Sequence, residues 1–392
     1  IDMASIRQHD VRGLGRRLEI SCQLDGPAIV GCHWIDPATG AFLRESDWVD
    51  SRNGSAQIVV ELPPVAGQYR FYVAPRLESG EWSYERGEAF LLIDYAVGAD
   101  GTAGPATQRL ARMHDVPRAS RWAKLGRMLV APFTISWANR ALIGSMVERD
   151  ILARYRGSIA DAFWALLNPL ILMLTYYFIF GVVLQTRFPG DPSQSGFTLY
   201  FLAGMLPWLA FSEAIGRAPN LARENRNLIT KLIFPLEILP LNLCLAGLVT
   251  GLTALFVFFG FLVYARGGVP PTALLLPIVV LPQILFTAGL CYGFCALGVF
   301  LRDLVYIVSL ALTLWFFLTP ICYPESSLPA GLLPWLSQNP VYQMVRAYRA
   351  VLVEGRPPDW APLAQLTGVS IIVFYLGFGY FYARKRSFAD VL

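Results

Sequence analysis

The chain is predicted to be an α-helical polytopic membrane protein with an N-terminal all-β sandwich domain. The membrane part is expected to hold six transmembrane helices, an interfacial amphipathic helix before them, and re-entrant half-helices between the fifth and sixth. Three observations predict this. Hydrophobic residues make up 55% and charged residues 15% of 392 positions, an apolar share above and a charged share below those of soluble domains. The charge is also divided: residues 1–100 carry 9 Lys+Arg and 15 Asp+Glu, a net of −6, whereas residues 101–392 carry 23 and 13, a net of +10. Finally, the run Leu314 to Pro324, LWFFLTPICYP, ends an apolar helix with two prolines inside a bilayer-compatible segment. Broken backbone in hydrocarbon leaves unpaired polar groups and persists only where protein or a water-filled cavity covers it. Such a break points to a transport pathway.

Residues 1–97 read as the sandwich. Five short apolar runs, RRLEISCQL, AIVGCHWI, AQIVVEL, QYRFYVAPRL and EAFLLIDYAV, are punctuated by Gly26-Pro27, Asn53-Gly54, Pro63-Pro64 and Ser79-Gly80, the turn signals of antiparallel strands. Trp34, Trp48, Tyr69, Tyr72, Trp82 and Tyr84 leave two uses open: stacking on sugar C–H faces, or filling the sandwich core, the commoner fate of such rings. No signal-peptide pattern precedes this region, so it is expected in the cytosol. The six cysteines are read as buried, inert thiols, because Cys22 and Cys32 lie in the front part and Cys244, Cys291, Cys295 and Cys322 in apolar runs with no His or carboxylate beside them.

Residues 98–135 read as a small-residue linker and a basic segment containing Arg109, Arg112, Arg118, Arg121, Lys124 and Arg127. The membrane domain is expected over residues 136–392. Ile143, Met146, Val147, Ile151, Tyr155 and Ile159 recur at helical spacing with Glu148, Arg149, Arg154 and Arg156 between them, which predicts an interfacial helix over 140–163. Spans are expected at 166–185, 197–216, 238–264, 272–300, 303–321 and 363–383, each near the roughly 20 apolar residues that a bilayer demands. The apolar, proline-rich stretch after the fifth suits two short re-entrant half-helices. With the front domain inside, cytoplasmic segments after residue 100 hold 18 Lys+Arg, and external ones hold five: Arg187, Arg266, Arg346, Arg349 and Arg356. This bias places both termini in the cytosol.

Energy coupling by this chain alone is disfavoured on two counts. Ion-coupled transporters keep ionisable groups within the membrane, but apart from Asp303 at the very start of the fifth only Glu213 falls inside a predicted span, and all three histidines, His9, His33 and His114, precede the membrane region. A phosphate-cradling P-loop needs Gly-Lys followed by Ser or Thr, and none of the three lysines, Lys124, Lys231 and Lys385, follows a glycine. If ATP drives transport, a separate ATPase subunit supplies it.

The segments VERDILARYRGSIADAFWALLNPLILM, NRNLITKLIFPLEILPL, Arg302-Asp303 after GVF, LTPICYP, NPVYQMVRAYR and RSFADVL together resemble the membrane subunit of type-2 ABC exporters. More narrowly, they are similar to the permeases that export O-antigen, capsular polysaccharide or teichoic acid. The resemblance covers about residues 135–392 in the family's order and leaves out the front domain, which typical members lack. It implies a homodimer of six-helix subunits in the bacterial inner membrane, joined by two copies of a nucleotide-binding subunit that binds ATP and Mg. This chain would bind no cofactor and no nucleic acid, and its partners would be membrane lipids and a lipid-linked polysaccharide.

The resemblance also implies that the loop between spans 2 and 3 couples to the ATPase. Arg223, Glu224, Asn225, Arg226, Asn227 and Lys231 are its polar candidates and Leu228 its apolar anchor. An ordinary positive-inside loop would explain the arginines alone. Channel and gate candidates are Tyr176, Tyr177, Phe180, Trp208, Trp315, Phe316, Pro320, Tyr323 and Pro324. Consecutive helical residues point different ways, so at most about half of this aromatic set should line a channel. Arg149, Arg154 and Arg156 are candidates for a lipid pyrophosphate, with general attraction to anionic head groups as the alternative. A membrane-embedded transferase or an assembly scaffold acting on lipid-linked glycans is the competing reading.

Overall fold

The computed structural model describes residues 5–35, 42–45, 48–51, 54–62, 67–77, 81–97, 104, 106–113, 115, 121–155, 164–183, 194–226, 228, 235–325, 328–329, 331–385 and 388–391. It divides into two units, Ile1–Met128 and Leu129–Leu392.

The first unit is a β-sandwich. Strands β1 (Ile6–Leu14), β2 (Arg17–Leu24) and β6 (Ser55–Glu61) form one antiparallel sheet in the order β1-β2-β6. The other contains β3 (Ile29–Ile35), β4 (Phe42–Glu45), β5 (Val49–Asp50), β7 (Gly67–Pro75), β8 (Phe90–Val97) and β9 (Thr107–Ala111), in the order β4-β3-β7-β8-β9 with β5 also paired to β3. In β2 and β6 every second residue is buried, Leu18, Ile20, Cys22 and Leu24 facing in beside Ala56, Ile58 and Val60, because one face meets the other sheet and one meets water. Strand β3 is buried on both faces. Its inner face joins the core through Val30, Cys32 and Trp34, while Ile35, Tyr72, Ala74, Tyr84 and Phe90 form a second small core on the outer face.

Four strands, β1, β4, β5 and β9, lie outside the five apolar runs. Strand β1 is mostly exposed and charged, as edge strands are. Strand β9 falls in the stretch read as linker and pairs with β8 from Phe90↔Ala111 to Asp94↔Thr107. The β-rich part therefore extends past Val97.

The second unit is helical. The helices are α1 (Arg121–Ala138, its first residues in the first unit), α2 (Arg140–Tyr155), α3 (Trp164–Tyr176, continued by a π-helix Tyr177–Val183), α4 (Gln194–Arg217), α5 (Leu221–Glu224), α6 (Ile238–Arg266), α7 (Leu276–Phe300), α8 (Leu304–Leu318), α9 (Leu333–Leu336), α10 (Pro340–Arg349, continued by a π-helix Ala350–Glu354), α11 (Trp360–Arg384) and α12 (Phe388–Val391). Among the described residues four stretches are long and apolar enough to cross a membrane, Gly196–Glu224, Ile238–Arg266, Pro271–Phe300 and Trp360–Arg384, and Leu304–Leu318 and Leu170–Ile179 are shorter apolar helices. Residues 121–138, which take in the last part of the stretch read as linker and basic segment, are helical, and the helix after them is described only to Tyr155. One face of α2, with Ile143 and Met146, is buried in the helical core.

Small residues let these helices approach closely, since apolar tails of lipid and protein offer no hydrophobic drive between helices and contact must come from packing. A Cβ on Gly289 would lie 2.6 Å from the Phe374 Cα, and one on Gly377 would overlap the Gly289 backbone. These two glycines therefore set the α7–α11 contact. Gly247 and Gly251 do the same between α6 and α4, where added Cβ atoms would meet Ala210 at 2.6 and 2.8 Å.

Candidate functional site

Two regions carry most of the residues singled out in the sequence, the break after α8 and the loop after α4, and others lie on α2, α3 and α4. Helix α8 has 15 residues, about 22 Å at 1.5 Å per residue, against a hydrocarbon core of about 30 Å. It stops because Thr319 precedes Pro320. A pre-proline residue is driven from the helical region, and Thr319 is extended at φ −95°, ψ 131°.

The polar groups released by this stop are paired by name. Tyr323 Oη donates to the Phe317 carbonyl at 2.9 Å, and Asn339 Nδ2 donates to Thr319 Oγ1 at 3.1 Å. Asn339 Oδ1 accepts from Trp315 Nε1 at 2.9 Å and from the Val341 amide at 3.0 Å, so the residue that caps α10 also holds the end of α8. Pro340 occupies the first turn of α10, where its missing N–H is of no consequence.

The centre of the arrangement is Arg349, which is 0% exposed. Its Nη1 donates to the Pro320 carbonyl at 2.8 Å, Nη2 to the Ile321 carbonyl at 3.1 Å, and Nε to the Tyr200 carbonyl on α4 at 3.0 Å. The guanidinium carbon lies 3.5 Å from the Tyr200 ring centroid, a cation–π contact. Gly204, one turn along α4, makes the space: a Cβ there would sit 2.8 Å from Arg349 Nη2. Tyr200 Oη donates to Glu325 Oε1 at 3.2 Å, and Glu325 lies 4.0 Å from Arg349 and 3.5 Å from Arg346. Arg346 also pairs with Glu354 at 3.0 Å. A planar cation with five fixed donors suits several carbonyls at once, which a lysine could not serve. Read from sequence as an external-loop charge, Arg349 is instead enclosed by protein.

Deeper in the unit, Tyr348 Oη donates to Gln283 Oε1 at 2.7 Å, and Gln283 Nε2 donates to the Pro207 carbonyl at 3.0 Å. This buried relay joins α10, α7 and α4, satisfying polar groups that would otherwise be costly to bury.

The aromatic candidates divide. Trp208 is buried against Phe211 and Phe316, with centroids 5.8 and 5.4 Å away, and Trp315 is half-buried against Phe211 and Phe286. Both rings belong to the subunit's own core. Tyr176 packs on Phe201 and Tyr177 on Phe261, each half-buried. Pro320 is buried, and Phe316, Tyr323 and Pro324 are half-buried. Phe178 and Phe317 are exposed at 57% and 61%. The side chain of Phe180 lies outside the described residues.

The loop after α4 begins with a 3-10 turn, Ala218–Asn220, whose Pro219 carbonyl touches α7 so closely that a Cβ on Gly298 would overlap it. In α5, Leu221 and Ala222 are buried. Arg223 Nη2 donates to the Gly298 carbonyl at 2.7 Å, and Asn225 Nδ2 to the Leu221 carbonyl at 2.9 Å. Arg223 thus ties the loop to α7, while Asn225 closes the end of α5 itself. Glu224 and Arg226 are exposed and Leu228 is half-buried, whereas Asn227 and Lys231 lie outside the described residues. At the same end of α4, Arg217 grips Asp150 of α2 through two bonds of 2.9 Å, a bidentate pair. Arg149 on α2 is exposed, and the side chain of Arg154 and all of Arg156 lie outside the described residues.

Comparison with known proteins bears on the same stretch. The sequence profile of a family described as "ABC-2 type transporter" matches residues 141–353. The O-antigen export system permease protein RfbA of Myxococcus xanthus is 36% identical to this chain over 254 residues, 64% of this chain and 95% of that relative. Two proteins of the same name from Klebsiella pneumoniae are 29% and 28% identical over 253 residues, again 64% of this chain and 95% of each relative. The break, Arg349 and the loop after α4 all fall within the family match, and the β-sandwich falls before it.

Proposed function

The chain belongs to the ABC-2 type transporter family as a permease subunit of a type-2 ABC exporter, and on that premise we propose that it moves a polysaccharide, carried on a lipid, across the bacterial inner membrane. It is a transporter subunit and not an enzyme, so the family implies a partner ABC ATPase that hydrolyses ATP with Mg. The observation that carries the substrate class is the likeness to O-antigen export permeases over 95% of their length. In this reading two copies of the chain, each with six spans and both termini in the cytosol, assemble with two copies of the ATPase.

The described geometry supports a division of labour. The exposed Glu224 and Arg226 meet the ATPase groove, and Arg223 passes the displacement to α7 through the Gly298 carbonyl. Helices α9 and α10 are re-entrant and form an external gate, whose backbone Arg349 holds against α4. The exposed flank of α8, with Tyr306, Leu310, Leu314 and Phe317, suits a face shared with the second copy. Beside α1 a cleft of about 830 Å3, lined by Phe133, Trp137, Leu245, Leu281 and Phe374 among others, suits an acyl or polyprenyl tail, with Arg140 over the Trp137 ring at 5.1 Å near its phosphate end.

The test is reconstitution with the partner ABC ATPase that the family implies. The permease alone should hydrolyse no ATP, the complex should hydrolyse it, and Arg226→Ala or Leu228→Ala should separate hydrolysis from export. Undiminished export in a strain stripped of every partner ATPase would sink the reading.

A further inference from the structure

Six aromatic residues in the front domain were open to two uses, and the structure divides them. Trp34, Tyr72 and Tyr84 are buried, and Tyr69 and Trp82 are half-buried. Trp48 stands apart at 51% exposed. It immediately precedes β5 on the edge of the larger sheet, with the Arg76 guanidinium 4.7 Å from its ring centroid and 5.8 Å from that of Trp82. The two indoles are 6.1 Å apart and cross at 72°.

This group rests on a rigid floor. The Trp82 ring lies over Gly31, where a Cβ would be 2.5 Å away, and edge-on to the buried His33 at 4.5 Å. Its backbone bridges to Arg76. Arg76 is thereby fixed against both rings, and Trp48 is held while half of its surface meets water. Next to Trp82 along the chain, Glu81 and Arg86 form an exposed ion pair at 2.8 Å.

We propose that Trp48, Arg76 and Trp82 form a glycan-binding platform that takes a neutral hexopyranose of the exported polysaccharide. The inference rests on the export reading above. A pyranose has an apolar C–H face and a rim of hydroxyls. The exposed half of the Trp48 indole matches the first, and planar guanidinium and carboxylate groups match the second. The net charge of −6 over residues 1–100 opposes an acidic polymer and favours a neutral one. Tethering the domain to the permease raises the local concentration of the polymer that the permease handles, so a weak stacking site is sufficient. The platform lies outside the family match, so it is an addition to the exporter and not part of its channel.

The experiment uses the full-length chain in nanodiscs and, as probe, the lipid-free polysaccharide released by mild acid from the envelope of the source strain. Binding is measured by calorimetry for the wild type, Trp48→Ala and Trp48→Phe. Trp48→Ala should weaken binding by about tenfold, and Trp48→Phe should fall between. ATPase turnover with the partner subunit and the melting temperature should be unchanged, since Trp48 contributes to neither the coupling loop nor the sandwich core. Wild-type and Trp48→Ala affinities within a factor of two, or no wild-type binding at millimolar repeat units, would overturn the platform while leaving the export reading intact. A strain lacking the gene that still exports this polymer would overturn the export reading and the choice of ligand together.

Discussion

Arg349 lies in a run that hydropathy assigns to an external loop, yet it is fully enclosed and gives its donors to three backbone carbonyls. Removing it leaves two of those carbonyls, at Pro320 and Ile321, without the partner that the lost helix would have supplied. Each orphaned buried group costs roughly 1–3 kcal/mol. Arg349→Met should therefore lower the detergent melting temperature and abolish export, and Arg349→Lys should restore little, because an ammonium lacks the planar fork. Gly204→Val should copy the defect from the other side by displacing the guanidinium, as thermal unfolding and an export assay would register. Cys22 offers an independent check on the front domain. Burial pushes its thiol up to about 11, so about one part in a thousand is thiolate at pH 8. Its alkylation by iodoacetamide at that pH should be undetectable by mass spectrometry until the domain unfolds, then rapid.

Among elements, the helix pairs set by glycine are the ones where a single side chain decides packing. Gly377→Val drives a side chain into the Gly289 backbone and should cost roughly 1–3 kcal/mol in detergent. Gly260→Val, on α6 where an added Cβ meets nothing within 4 Å, should leave the melting temperature unchanged. Equal loss from both would mean that a general effect of added side-chain bulk, and not the α7–α11 contact, was being measured. The loop after α4 follows the same logic: Gly298 lets Pro219 approach and Arg223 locks the approach, so the loop cannot move without α7.

For the whole molecule, the family match covers residues 141–353, and the β-sandwich has its own sheets and its own core. A chain lacking residues 1–100 should therefore still insert, bind its ATPase and hydrolyse ATP at the full-length rate, as measured on the purified complex. If hydrolysis falls with the deletion, the front domain is part of the drive and not an accessory. If hydrolysis persists while the length or end structure of exported chains changes, the domain acts in recognition.

Local chemistry was legible in the chain itself. Pro320 fixes the end of α8 because proline acts on its own backbone and its neighbour's, and the alternation in β2 and β6 marks a half-buried sheet for the same local reason. Two parts of opposite net charge, one polar and one apolar, were likewise written in composition, as was the loop after α4 by its polarity and place. What lay beyond reach depends on partners distant in the chain. Strands β1 and β9 are polar edges with no hydrophobic pattern and become strands through pairing with β2 and β8. Trp208 and Trp315 could not be assigned to core or channel, because the direction of a ring on a helix follows from which helix packs beside it. Arg349 meets Tyr200 across 149 positions, and nothing within ten residues of it reports that. The sequence by itself determined that backbone would be broken within an apolar segment. Tertiary structure alone decided that a buried arginine, seated where Gly204 leaves room, would satisfy that break, because the hydrogen bonds concerned are made across the fold.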